Sequence, residues 1–378
     1  MMSGCRNIPL FAGYPRLRQS LSRVVLAELP TPVSRLKGLE KHLRIQRCDV
    51  KSDGFTARPF GGNKIRKLEF LLGEALSQKN RSVLTFGAAG SNHALATALC
   101  ARKTGLRAVC LLADQPNARY VRRNLLAHLD AGSDLHGYAK SSALKRGALV
   151  QSLLEAMRTG RPPMIIPPGG STPLGACGFV NAGLELKLQI DEGLLPKPDR
   201  IYVALGTMGT AAGLLLGLQA VGLDPELIGV RVVPEIMANA RAFQRLYSRT
   251  RTLLRQKDPS FPFAEHGMKR LTIRNEFFGT KYACFTDAGM EAVRLAFSLD
   301  GVHLDGTYTG KAMAALISDA RNGELKDKNV LFWNTLNARS LDGITEHRNY
   351  RQLPGFFHRY FEEDVQPLDR PAEAADSR

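Results

Sequence analysis

From residue 82 onward, short runs of β-branched and other apolar residues alternate with longer segments whose apolar positions recur at helical spacing. A chain patterned this way buries both kinds of face by laying crossover helices over parallel strands, as successive βαβ units of an α/β fold. The runs predict strands over 83–88, 108–112, 164–166, 200–205, 228–233 and 330–333. Helices are predicted between them, among them 92–103, 174–190, 210–221, 287–299 and 311–321. The 35 glycines, many beside the apolar runs, suit the tight strand-to-helix turns of such a fold better than a helical bundle.

At 378 residues and 44% apolar, the chain can divide a large core between about two domains. Its longest apolar stretch worth testing, 211–223, is interrupted by Gly213, Gly217, Gln219 and Gly222 and is too short to span a bilayer, so no membrane helix is expected. Cys5, Cys48, Cys100, Cys110, Cys177 and Cys284 stand far apart without a Cys-x-x-Cys pair. That spacing suggests neither a zinc site nor a disulfide framework, predicts no metal, and fits a reducing cytoplasm. Arg6, Arg16, Arg18 and Arg23 with no acid nearby resemble a transit peptide, but Pro9 and Pro15 are expected to break any amphipathic helix there. A folded N-terminal segment is predicted instead.

The formal charge of +17 raises the question of a nucleic-acid partner. The excess lies near 35–51 and 241–281, and in the second region Phe243, Leu246, Tyr247, Leu253 and Leu254 share one helical face while Arg241, Arg245 and Arg249 repeat on another. This is the pattern of a solvated basic helix packed on a core. Zinc-finger spacing and the aromatic motif of RNA-binding sheets are absent from the sequence, so no nucleic acid is expected. Attraction of an anionic cofactor and substrate is a sufficient use for the field.

Four constellations carry chemistry. In Gly61-Gly62-Asn63-Lys64-Ile65-Arg66-Lys67-Leu68-Glu69, two glycines let backbone approach a ligand and deliver a lysine at a helix start. A helix N-terminus disfavours added positive charge, so an amine there is driven toward its neutral, nucleophilic form. A simple Gly-Gly turn before a basic helix fits the same residues. Ala88-Ala89-Gly90-Ser91-Asn92-His93, between strand and helix, offers amides and a hydroxyl to a carboxylate, or an ordinary Ser/Asn cap. Leu205-Gly206-Thr207-Met208-Gly209-Thr210 has the strand, turn and helix arrangement that binds a phosphate monoester, without the Lys-Ser/Thr ending of an ATP-binding loop or a dinucleotide fingerprint. Leu304-Asp305-Gly306-Thr307-Tyr308-Thr309-Gly310-Lys311-Ala312 places a phenol and a hydroxyl at another such junction, or in a plain loop. His93 either faces the site or has a local partner, Lys67 meets a phosphate or solvent, and Trp333 reads as packing.

These four segments in this order, with Tyr282-Ala283-Cys284-Phe285-Thr286-Asp287-Ala288-Gly289-Met290-Glu291-Ala292-Val293, resemble the D-cysteine desulfhydrase and 1-aminocyclopropane-1-carboxylate deaminase family from Pro30-Thr31-Pro32 to about Leu336. The resemblance implies a two-domain type II pyridoxal-phosphate fold, tryptophan synthase β-like, with a parallel-sheet core in each domain. It implies a large cofactor-binding domain from 1–66 and 166–360, a small inserted α/β domain over 67–165, and a polar tail over 361–378. By motif position Lys64 resembles the lysine that carries pyridoxal 5′-phosphate as a Schiff base and then moves the Cα proton. Asn63 beside it would contact the cofactor, Asn92 would approach the pyridoxal 3′-oxygen, and Ser91 with neighbouring amides would hold the substrate carboxylate. Gly206, Thr207, Met208, Gly209 and Thr210 would hold the phosphate. Tyr282 and Tyr308 match the two tyrosines that face substrate, and Thr309 the group that meets the pyridine nitrogen. The family also implies a homodimer.

A carboxylate at the Thr309 position would keep the pyridine protonated and strongly electron-withdrawing, whereas a hydroxyl supports a weaker sink. The deaminase branch resembles the first case and the desulfhydrase branch the second. Thr309 therefore predicts α,β-elimination from a small amino acid such as D-cysteine or β-chloroalanine, giving pyruvate, ammonia and the thiol or halide. The sequence departs from the family pattern at Gly90, where Gln is usual, and at Tyr282-Ala283-Cys284-Phe285-Thr286, where the pattern is Tyr-Gly-x-Pro-Asn. It departs again at Ala288, at Asn334-Thr335-Leu336-Asn337, and at Lys51-Ser52-Asp53-Gly54. A cyclopropane-opening deaminase, or a cofactor-binding relative with altered or lost activity, is the alternative these departures leave.

Overall fold

The computed structural model describes residues 8–263 and 267–370 of the chain. Ten strands among the described residues form two sheets: β1 (Val33–Arg35), β2 (Arg47–Ser52), β3 (Ser82–Ala88), β4 (Arg107–Ala113), β5 (Asp134–Tyr138), β6 (Met164–Ile166), β7 (Arg200–Leu205), β8 (Glu226–Arg231), β9 (Leu271–Arg274) and β10 (Asn329–Asn334). The larger sheet runs β1-β2-β10-β7-β8-β9 and the smaller β5-β4-β3-β6. Every pairing is parallel except β1 with β2. The α/β architecture expected from the alternation is therefore present, with a parallel core in each sheet.

Buried strand faces explain most of the boundaries. Ile201, Tyr202 and Val203 of β7 are fully buried, as are Leu331, Phe332 and Trp333 of β10, because helices cover both faces of a parallel sheet. The strand expected over 228–233 lies two residues earlier. Val232 and Val233 are buried beyond the ladder, and Val233 turns into the wall of a cavity, so their apolar character marks lining and not pairing. The helices Pro173–Asp191 and Gly209–Ala220 cross backbone to backbone, and a Cβ on Gly217 would lie 2.2 Å from the carbonyl oxygen of Val180.

Pro9 and Pro15 do not exclude helix. Each opens a short one, Pro9–Gly13 and Pro15–Ser20, at the first turn, where the missing N–H has no partner to lose and the fixed φ suits the helix. Leu10, Phe11 and Leu17 bury against the large sheet's core, while Cys5 and Arg6 lie outside the described residues. The helix Ala240–Lys257 buries Phe243, Tyr247 and Leu254 and exposes Arg241, Arg245 and Arg249, the solvated basic face read from the sequence. Residues 361–370, read as the start of a polar tail, are folded. Asp369 is buried and accepts the backbone N–H of Arg119 at 2.5 Å, whereas 371–378 lie outside the described residues. Among the described residues no helix is long and apolar enough to cross a membrane.

Candidate active site

In parallel sheets the carboxyl ends of the strands face one side, and the loops that leave them build the site. Here the loops after β3, β7, β8 and β10 enclose a cavity of about 550 Å³ together with the turn before the helix Lys64–Ser77. Asn63, Lys64, Ser91, Asn92, Gly206, Thr207, Met208, Thr210, Tyr282 and Tyr308 all line it. Gly209 and Thr309 do not, and lie just behind the lining.

The lysine turn is built by close backbone contacts. A Cβ on Gly61 would sit 2.1 Å from the carbonyl oxygen of Gly54, and Gly62 has φ of +99°, so only glycine fits either place without strain. The Asn334–Asn337 departure braces this turn. Gly61 N–H donates to Asn337 Oδ1 at 2.7 Å, and Asn63 N–H to the Thr335 carbonyl at 3.2 Å. Burial pulls the Lys64 amine down to about 8, against the opposing effect of Asp305. Desolvation, and not only the position at a helix start, lowers this amine.

Behind Lys64 the helix carries Arg66 and Lys67, both buried. Lys67 Nζ donates to the Gly169 carbonyl at 3.1 Å and to Ser171 Oγ at 3.4 Å, so solvent is not its partner. Burial, reinforced by Lys64, lowers its pKa well below the ordinary value. His93 Nε2 meets Thr85 Oγ1 at 3.2 Å, and burial with the two lysines keeps the ring neutral at ordinary pH.

The phosphate candidate is the turn after β7. Met208 adopts a left-handed φ of 69° and does not cap the helix that follows, which leaves the Thr210 and Ala211 amides, after the Gly209 N–H taken by Ser171, for an anion. Ser171 Oγ lies 2.7 Å from Thr207 Oγ1 and accepts the Gly209 N–H at 3.1 Å, while Asn63 Nδ2 donates to Thr210 Oγ1 at 2.9 Å. Ser91 caps its helix by accepting the Ala94 N–H at 3.1 Å, which leaves its own proton to donate. Asn92 Oδ1 accepts from Asn124 Nδ2 at 2.8 Å. A side chain at Gly90 would collide with Tyr120 and Val121, and Gln115 Oε1 accepts the Gly90 N–H at 2.9 Å.

On the opposite wall, the Tyr282 and Tyr308 hydroxyls hydrogen-bond each other. Burial raises both phenols, Tyr308 well above the ordinary value, so both remain protonated at neutral pH. Of their two protons only one is used between them. Asp305, which motif reading left without a role, lines the cavity. Its Oδ1 accepts the N–H groups of Thr307 at 2.8 Å and Tyr308 at 2.5 Å, and its Oδ2 the Thr309 hydroxyl at 3.0 Å. Burial raises its pKa against those bonds. The signal for it was present, an acid four residues ahead of a helical run, but its position facing the cavity was not. Ser171 and Gln115 carried no local signal.

A family profile described as pyridoxal-phosphate dependent enzyme matches residues 24–335. The chain belongs to that family. A D-cysteine desulfhydrase from Salmonella schwarzengrund is 36% identical over 335 residues, covering 86% of this chain and 97% of its own. A Pyrococcus horikoshii protein named provisionally as a 1-aminocyclopropane-1-carboxylate deaminase is 33% identical over 317 residues, covering 83% and 91%. Among solved structures, an ACC deaminase homologue superposes with a TM-score of 0.74 at 32% identity, over 88% of this chain and 96% of that one. The threonine deaminase isoform 2 from Solanum lycopersicum shares the fold at 15% identity, with a TM-score of 0.56 over 90% and 86%. The cavity of this pyridoxal-phosphate-dependent enzyme fits its cofactor. It holds a desolvated amine, a helix start with open amides beside the buried Lys67 side chain, and room for a ring between them.

Proposed function

We propose that this chain is a lyase that eliminates the β-substituent of a small amino acid, with D-cysteine as the leading substrate and pyruvate, ammonia and hydrogen sulfide as products. The observation that carries the reading is Lys64, half-buried on the cavity wall with its amine pulled down to about 8, in the same enclosure as a protonated tyrosine pair.

The 206–210 turn, with Thr210 braced by Asn63, would hold the cofactor phosphate, and Asn92 the side of its 3′-oxygen. The Thr309 hydroxyl is assigned to the ring-nitrogen end, where it acts together with the Asp305 carboxylate it donates to. When bound, the cofactor withdraws electrons from the substrate Cα and makes its proton removable. Ser91 and the amides of its helix start orient the substrate carboxylate. Lys64 Nζ takes the Cα proton. The Cβ–S bond breaks with its electron pair on sulfur, and the spare phenol proton of the Tyr282–Tyr308 pair goes to that sulfur. Water then hydrolyses the released enamine to pyruvate and ammonia. A hydroxyl at 309, where a carboxylate would strengthen the sink, supports elimination over cyclopropane opening. Five free cysteines among the described residues support a cytoplasmic setting, and a homodimer belongs to the same reading.

The test is the visible spectrum of the protein with pyridoxal phosphate, before and after D-cysteine, L-cysteine and 1-aminocyclopropane-1-carboxylate. A yellow band that shifts with D-cysteine while pyruvate and sulfide accumulate is the expected result. Turnover of the cyclopropane alone would move the assignment to the deaminase branch, and a band that no amino acid disturbs would remove the lyase assignment.

A further inference from the structure

Tyr282 opens a loop that is held in part from outside it. Ala283 is fully buried in the left-handed region, with φ of 64°, a conformation that a residue with a Cβ adopts at a cost of roughly 1 kcal/mol or more. Within the loop one bond, from the Cys284 N–H to the Lys281 carbonyl at 3.3 Å, closes the turn over Tyr282 and Ala283. The side-chain amide of Gln366 reaches it from 83 residues away, with Nε2 donating to the Ala283 carbonyl at 3.1 Å. Its Oε1 accepts the Phe285 N–H at 2.7 Å. One planar amide thus fixes the backbone on both sides of the turn that aims Tyr282 at Tyr308.

Gln366 is itself anchored to the small sheet's side of the cavity. Its N–H donates to the Asn117 carbonyl at 3.0 Å, and Asn117 Nδ2 donates back to the carbonyls of Tyr360 and Glu363, each at 2.9 Å. The Tyr360 hydroxyl donates to Asp114, a cavity residue, at 2.6 Å and accepts the Gln115 N–H at 3.1 Å. Gln115 in turn holds Gly90 of the carboxylate loop. The Phe285 ring is stacked on Tyr120 at 6.5 Å between centroids. The segment doing this lies beyond residue 335, where the family match ends.

We infer that Gln366 is a positioning residue for substrate turnover: the C-terminal segment holds the 282–285 loop through Gln366 and so sets the register of Tyr282 against the bound amino acid. The turnover arm of this inference rests on the lyase reading above; the geometry of the loop does not.

Cys284, inside the held turn, is half-buried, whereas Cys48, Cys100, Cys110 and Cys177 are buried in the cores. In a Cys5→Ser background of the full chain with pyridoxal phosphate, Gln366→Ala raises the rate at which a soluble disulfide reagent modifies Cys284 by about tenfold, with the four core thiols unchanged. In the same variant kcat with D-cysteine falls by roughly tenfold or more, while KM and the visible cofactor band stay near wild type. Gln366→Glu keeps the acceptor for Phe285 and loses the donor to Ala283, so it falls between the two. An unchanged Cys284 rate overturns the inference, and so does a parallel rise of all five thiols, which would mark general destabilisation. If the unsubstituted protein turns over no amino acid, the lyase reading fails, and the thiol rates still decide whether Gln366 holds the loop.

Discussion

Lys64 is poised by what surrounds it: a cavity that strips water from its amine, and Asp305 as the counter-charge that limits the shift. Only the neutral amine attacks a carbonyl, so with Lys64 in its proposed role the neutral fraction would set how fast the protein captures pyridoxal phosphate. Because burial lowers the folded pKa from 10.5 to about 8, that fraction grows with pH, reaches one half at about 8 and nears completion about a unit higher. The capture rate, followed as growth of the yellow band after mixing cofactor-free protein with cofactor, should rise through neutral pH with its midpoint at about 8 and level off about a unit higher. A rise that continues to the ordinary lysine value would show that the amine is solvated. That Lys64, Ser91, Asn92, Tyr282 and Tyr308 share one cavity was legible because their motifs fix where they fall between strand and helix. Asp305 and Gln366 were not, since each role arises only from what the folded chain brings alongside.

The helix that presents Lys64 is held by a buried charge cluster, and this is where element-scale reading of the sequence was weakest. Strand β2 was not predicted because its inward residues Asp49 and Lys51 are charged, and charged residues at alternate positions read as surface. Lys51 Nζ reaches Glu185 at 2.7 Å, and Arg66 grips the same carboxylate from two nitrogens while meeting Asp53 at 2.9 Å. Trp333, read as packing alone, also donates Nε1 to Asp53 at 2.8 Å. Burial alone would raise the Glu185 carboxyl, yet Arg66 and Lys51 hold it well below the carboxylate range. The pairing joins β2, the Lys64 helix and the helix Pro173–Asp191. Glu185→Ala leaves two buried cations without their shared partner, and loss of one member of such a set costs about 3–5 kcal/mol. Urea unfolding should show that loss. A change under about 1 kcal/mol would mean that water or rearrangement satisfies both cations.

At the scale of the whole molecule, 52 basic against 35 acidic residues give a field that no single contact explains. Arg241, Arg245 and Arg249 face solvent on a helix that contributes its apolar side to the core, so their charge is free to act at a distance. The cofactor is a phosphate ester, and the site proposed for its phosphate is the helix start after β7 beside buried Lys67. A positive field with a low-dielectric cleft concentrates anions at the mouth and speeds their encounter, and salt screens this. Between about 10 mM and about 1 M salt the screening length falls from roughly 30 Å to roughly 3 Å, less than the distance over which surface arginines could guide a ligand inward. Capture of pyridoxal phosphate at fixed pH should therefore slow by about tenfold or more across that range, while capture of pyridoxal, which lacks the phosphate, changes little. If both slow alike, salt is acting on the protein's conformation. If neither slows, the charge serves another purpose than gathering the cofactor.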